Sequence, residues 1–252
     1  MSSAQVVRLG AALVLLLGVT AGVGSVLRLD QWRDAVLAVA RAVVQLLLVA
    51  AVVKFVFTHP AYAPLYLTVM VTAATYTSSR RLSRRCSQPA VLPVLAAIVC
   101  GAGIAAAVIV GTGAIPWEVS QVLPLTAQLI GGAMTATTLA SLRMVDDVSA
   151  HWDQVEAWLS LGARADEAVR SFARTSARAA LVPALDQTRN VGLVVLPGAF
   201  VGLLLGGASP LEAGRLQLLV LVGLVAAETV AATVVTYAIS GVLGARRPPV
   251  PA

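Results

Sequence analysis

The chain has 252 residues, 58% of them hydrophobic and only 12% charged, with a mean hydropathy of +0.87, far more apolar surface than a water-soluble domain of this size can bury. Its net charge of +6 would suit nucleic acid, but the basic residues are almost all arginines at the ends of apolar stretches, where membrane topology accounts for them. The two cysteines, Cys86 in a basic loop and Cys100 in an apolar run, have no His or acidic partner at ligand spacing, which argues against a disulfide framework and against a structural metal site.

The chain therefore reads as an all-α polytopic membrane protein, because several apolar stretches reach the roughly 20 residues that a helix needs to cross the bilayer. Seven spans are predicted, at about 6–27, 35–57, 62–78, 89–112, 122–143, 189–206 and 213–240. Apolar stretches continue to residue 240, so the first is read as a span and not as a leader. The second carries Arg41, near enough to its end to snorkel to the interface, and Gln45. The third is entered after Pro60 and Pro64 and carries Thr68, Thr72, Thr75 and Thr77, a composition compatible with a tilted, broken or partly buried segment. Gln128 falls in the fifth span. Gln45 and Gln128 suit either a path through the membrane or hydrogen bonds across helices.

Orientation follows from Lys and Arg alone. Of the 18 such residues, fourteen fall on one side: Arg28, Arg33, Arg80, Arg81, Arg84, Arg85, Arg143, Arg164, Arg170, Arg174, Arg178, Arg189, Arg246 and Arg247. Arg8, Lys54 and Arg215 fall on the other. The amino terminus is therefore expected outside and the carboxyl terminus in the cytoplasm of a cell-membrane protein, as an odd number of spans requires.

Residues 144–188 form the one long connection, expected on the cytoplasmic side. The stretch from Asp153 to Leu161 reads as a short helix with apolar Val155, Trp158, Leu159 and Leu161, stopped by Gly162. A second helix is expected from Ala165, with Asp166 and Glu167 favouring its amino-terminal dipole and Arg170, Arg174 and Arg178 on one face. In the sixth span Gly198, Gly202 and Gly206 recur every four residues behind Pro197. That pattern offers a bare face for close helix packing or a hinge, and also fits plain packing with a kink. Glu228 lies mid-way along the last span. It is compatible with a protonated acid, a partner of Arg41, or a group facing a watery cavity. The tail from Gly244 to Ala252 is Pro-rich and is expected to be disordered, leaving 1–243 as one transmembrane domain. No internal repeat marks a duplicated transporter half.

Glu156 and Ala157, followed by a break at Gly162, resemble the glutamate–alanine–alanine and glycine loop by which permease subunits of ATP-binding-cassette (ABC) transporters engage their ATPases. The spacing is equally that of an interfacial amphipathic helix. The proline of the usual pattern is displaced, with Pro183 the nearest candidate. Downstream, Val191-Gly-Leu-Val-Val-Leu-Pro197-Gly198, then Gly202, Gly206-Gly207, Pro210-Leu-Glu212-Ala and Arg215-Leu-Gln217 resemble the iron-export ABC permease family of the FetB type, which includes the membrane partner of a plant aluminium-tolerance transporter. Arg41-Ala-Val-Val-Gln45-Leu-Leu, Pro124-Leu-Thr-Ala-Gln128-Leu-Ile-Gly131-Gly132-Ala-Met134 and Leu159-Ser-Leu161-Gly162-Ala163 agree in the same order. The family pattern tends to carry Asn where this chain has Gly132, and Ser and Met where it has Val195, Ala199 and Phe200. The resemblance therefore speaks for the transporter class more than for iron.

The resemblance implies a permease homodimer in the lipid bilayer, driven by a separate cytoplasmic ABC ATPase that holds the ATP and its magnesium. No cofactor and no nucleic acid are expected on this chain. Its one lysine, Lys54, follows no glycine-rich phosphate loop. Coupling to the ATPase is assigned to Glu156, Ala157, Leu159, Leu161, Gly162 and Ala163; hinge or packing to Pro197, Gly198, Gly202 and Gly206; the translocation path to Arg41, Gln45, Gln128, Gly132, Met134 and Glu228. No residue set for catalysis stands out. The competing classes are a non-transporting membrane scaffold coupled to an ATPase, a passive channel, and a permease for another small solute.

Overall fold

The computed structural model describes residues 3–26, 32–86 and 90–245. Among them every regular element is helical, and the only β-type pairing is a single bridge between Val191 and Val195. The chain divides into two compact units, Met1–Pro60 and Ala61–Ala252. In the first, α1 (Ser3–Val26) packs with α2 (Trp32–Thr58).

The second unit holds α3 (Ala63–Ser83), α4 (Val91–Gly111), α5 (Val119–Ala150), α6 (Trp152–Ser160), α7 (Ala165–Ala168), α8 (Arg170–Asn190), α9 (Gly198–Leu205) and α10 (Pro210–Ala245). At its centre α10 packs against α4, α5 and α8, while α5 also meets α3 and α4. Small residues let these backbones approach, because between helices in lipid the attraction is van der Waals contact and not expulsion of water. At Gly101 of α4 a β-carbon would lie 2.5 Å from the carbonyl oxygen of Ala227 and 2.9 Å from the Ala231 side chain of α10. At Gly223 of α10 it would meet Ile109 at 2.9 Å and Leu129 at 3.3 Å. A hydrogen bond of 2.8 Å between the Ser78 and Thr138 hydroxyls joins α3 to α5. Other threonines, such as Thr229 and Thr233, return their hydroxyls to carbonyls one turn back and so carry polarity through apolar helices at little cost.

Among the described residues, four helices are long and apolar enough to cross a bilayer: Ala35–Thr58, Val91–Gly111, Val119–Ala150 and Pro210–Ala245. They coincide with the second, fourth, fifth and seventh expected spans. The apolar part of α1, Gly10–Val26, is shorter, and α3 is diluted by its threonines. The last two of the four overrun their expected bounds. The 32 residues of α5 extend about 48 Å and the 36 of α10 about 54 Å, against about 30 Å of hydrocarbon. Start signals for α10 are local: the Ser209 hydroxyl accepts the Glu212 amide at 3.3 Å and the Glu212 carboxylate accepts the Ser209 amide at 3.2 Å, a reciprocal cap with Pro210 in the first turn.

The single helix expected over 189–206 does not form. After α8 the Asn190 carbonyl accepts the amides of Leu193, Val194 and Val195, Gly192 turns with φ +81°, and Pro197 has no amide to continue a helix. Helix α9 then has eight residues, about 12 Å, too short to cross. A second correction concerns the tail: Gly244 is buried and, with Ala245, belongs to α10. The remaining tail, residue 27 of the first span and residue 89 of the fourth lie outside the described residues.

Candidate functional site

The expected short helix and its stop are where the sequence placed them. Helix α6 runs from Trp152 to Ser160, and Gly162 follows with φ +89°, a left-handed conformation that side chains resist. Trp152, Val155 and Leu159, at i, i+3 and i+7, face the core, with Val155 fully buried. The opposite face presents Glu156, Ala157, Trp158 and Leu161 to the surroundings. Trp158 is 58% and Leu161 82% exposed, an apolar pair open to the surroundings among the described residues.

Several contacts hold this segment and the adjoining end of α5 in place. Helix α7 opens with the Arg164 amide donating to the Glu167 carboxylate at 3.0 Å, and its Ala165 backbone lies where a side chain on Gly244 of α10 would have to go. His151 stacks on Phe172 of α8 with ring centres 5.7 Å apart. At the end of α5, Asp147 receives Arg143 at 3.1 Å and the Ser176 hydroxyl at 3.4 Å, while Asp146 pairs with Arg85 at 2.6 Å. The second expected helix is thus two pieces, the single turn α7 and the 21-residue α8. Arg170, Arg174 and Arg178 are all exposed on α8, and Ala173, Ser176, Ala180 and Ala184 are buried on its other side.

At the far end of the same two long helices lies a cavity of about 590 Å³ between α5, α9 and α10. Ser120, Gln121 and Gln128 of α5 are the polar side chains of a mostly apolar lining, with Gly202 and Gly206 of α9 and Leu216 and Val220 of α10 opposite. Of the hinge residues, a β-carbon added at Gly198 or Gly202 would meet nothing within 4 Å, and one at Gly206 only carbonyls of its own helix. Among the described residues of the second unit, the glycine face is therefore not a helix-packing surface. Part of it lines the cavity, because α9 is short and begins at the break. The tight glycine contacts fall instead at Gly101, Gly132, Gly223 and Gly244, single positions without a repeating signature.

The expected path residues separate. Gln128 lines the cavity. One turn on, a β-carbon at Gly132 would lie 2.6 Å from Leu224 and 2.9 Å from a carboxylate oxygen of Glu228, so the missing side chain makes room for the acid. Met134 is not on this line but packs on the core. Arg41 and Gln45, one turn apart on α2, belong to the first unit, where both are exposed.

Residues 6–242 match the family described as "Uncharacterised protein family (UPF0014)". The chain belongs to the UPF0014 family. It is 36% identical over 214 residues to the "UPF0014 membrane protein STAR2" of Oryza sativa subsp. japonica, covering 83% of this chain and 74% of that protein. It is 33% identical over 231 residues to "Protein ALUMINUM SENSITIVE 3" of Arabidopsis thaliana, covering 90% and 82%. It is 32% identical over 209 residues to the "Probable iron export permease protein FetB" of Escherichia coli (strain K12), covering 81% and 80%. No solved structure matches. The resemblance drawn from the motifs at Arg41–Leu47, Pro124–Met134, Leu159–Ala163 and Val191–Gln217 is thereby borne out, and the UPF0014 chain is a multi-pass membrane protein.

Proposed function

We propose that this UPF0014 protein is the membrane-spanning permease subunit of an ABC transporter that exports a metal ion across the cell membrane, working as a homodimer with two separate ATPase subunits. One observation carries the reading. The two longest described helices, α5 and α10, each reach from the cavity lined by Gln121 and Gln128 at one end to the α6–α7 segment at the other. A push on α6 therefore has two continuous rods along which to reach the cavity, since an intact helix transmits displacement with little compression.

In this mechanism the exposed face of α6, with Glu156, Trp158 and Leu161, seats in a groove of the ATPase on the cytoplasmic side. ATP and its magnesium are held by the ATPase, whose closure on nucleotide moves α6. Gly162 lets α6 end abruptly, so that it lies across the partner instead of running on. The move passes through Asp147 to α5 and through Ala165 and Gly244 to α10, and changes the opening of the cavity lined by Gln121 and Gln128. Iron is the cargo named for the E. coli relative, and it is the first cation to test here.

The experiment is reconstitution in vesicles with and without the ATPase subunit. ATP-dependent iron flux that requires both chains is expected, with ATP hydrolysis stimulated by the permease. Flux without ATP would identify a passive channel, and stimulated hydrolysis with no flux of any solute would identify a scaffold; either result rejects the reading.

A further inference from the structure

Arg170, Arg174 and Arg178 follow one another every four residues on α8, and all three are exposed. Among the described residues none of them has a carboxylate within ion-pair distance. The carboxylates next to the row in the chain, or in contact with α8, are engaged elsewhere: Asp147 by Arg143 and the Ser176 hydroxyl, Asp166 by Arg164, Asp186 by Arg189, and Glu167 by the Arg164 amide. Like charges one turn apart on a helix repel. Three guanidinium groups in a row without a counter-charge therefore weaken the helix, and an external anion would remove that cost.

The row has a fixed level in the bundle. Ser176, between Arg174 and Arg178, donates to Asp147 at 3.4 Å, and Asp147 lies just beyond Arg143, where the apolar course of α5 gives way to charge. From there α8 heads back along α10: Ala165, before it, lies against Gly244, whereas Val191 and Gly192, after it, line a cavity of about 250 Å³ with Gly214, Gln217 and Leu221. At about 100° per residue, Arg170, Arg174, Arg178, Val182 and Leu185 share an arc of about 120°. Val182 is 51% and Leu185 36% exposed, so within two turns the guanidinium row passes into an apolar stretch of the same face. Ser171 and Thr175, exposed as well, add hydroxyls along its edge. The other side of the helix, with Ala173, Ser176, Ala180 and Ala184, is buried.

We propose that this face of α8 binds an anionic phospholipid of the surrounding leaflet, with the phosphate on Arg174 and Arg178 and the start of the acyl chains on Val182 and Leu185. A free anion would satisfy the arginines and leave the two apolar side chains uncovered. A neutral lipid would cover them and leave the charges unbalanced. A molecule with both parts matches the face, because a guanidinium forks onto phosphate oxygens and its stem lies along apolar surface. The bound lipid fastens α8 to the bilayer at the level where α6 and α7 are attached. The site stands whether or not the chain is a permease.

The test is lipid binding by the full-length protein in detergent, read as lipid retained per chain in native mass spectrometry, with the melting temperature as a second measurement. Phosphatidylglycerol is expected to be retained over phosphatidylcholine and to raise the melting temperature. R174Q/R178Q should lower that preference about fivefold for each arginine removed, and V182S/L185S should weaken retention of phosphatidylglycerol. R215Q, exposed near the other end of α10, should change neither. Without added lipid all three variants are expected to melt with the unaltered protein, since the replaced side chains are exposed. Equal retention of the two lipids by the unaltered protein, or an undiminished preference in R174Q/R178Q, overturns the proposal. Displacement of phosphatidylglycerol by glycerol phosphate would make the row a site for a soluble anion, and loss of the ATPase from R174Q/R178Q with the lipid preference intact would make it a protein interface; either result also rejects it.

Discussion

The backbone of Ala165 occupies the space that a β-carbon on Gly244 would need, so the single turn α7 is seated directly on the backbone of α10. Gly244→Ala must therefore move backbone and not merely a side-chain tip, at a cost of about 1–3 kcal/mol. Gly241→Ala, three residues earlier on the same helix with nothing within 4 Å, is expected to be neutral or slightly stabilising. Thermal unfolding in detergent compares the two, and equal melting temperatures would remove this contact.

Gly162 stands in open space, so a larger side chain there meets strain and not collision. At φ +89° a leucine costs about 1–2 kcal/mol, and an asparagine costs less. Gly162→Leu is expected to abolish stimulation of the ATPase while membrane insertion is unchanged, and Gly162→Asn to keep most of it. Undiminished stimulation by the leucine variant would count against α6 as the coupling element.

Two glycines that look alike in sequence are expected to behave oppositely. Gly101→Val forces α4 off the Ala227 carbonyl and should lower the melting temperature sharply, as overpacking does. Gly202→Val fills part of the cavity beside Gln128 and should leave stability alone while slowing transport. A G202V protein that melts as early as G101V would restore the reading of α9 as a packing helix.

Burial pushes the Cys86 thiol above its ordinary value of 9.0. The folded chain keeps this proton where the unfolded chain has begun to lose it, so the contribution to stability is complete below the unfolded value and disappears as pH rises through the folded one. With Cys100 replaced, alkylation of Cys86 near pH 9.0 should be slower in folded than in denatured protein. Equal rates would show a thiol open to solvent.

A methyl at Gly132 would strike Glu228 and Leu224 at the ends of flexible side chains, which can swing aside. Gly132→Ala should therefore change transport by displacing the carboxylate, with little change in melting temperature. A large loss of stability would instead mark the pair as a packing contact.

Hydropathy and turn chemistry act over a few residues, and what depends on them was legible in the sequence. The helical class, the apolar helices α2, α4, α5 and α10, the short helix α6 and its stop at Gly162 all follow from residue type and spacing. The break at Val191–Pro197 was masked because its residues are as apolar as a span, and only the capture of the Asn190 carbonyl by three amides shows that the helix ends there. Which glycines take a neighbouring backbone was decided by tertiary structure alone, since contact at Gly101 or Gly244 depends on which helix lies opposite.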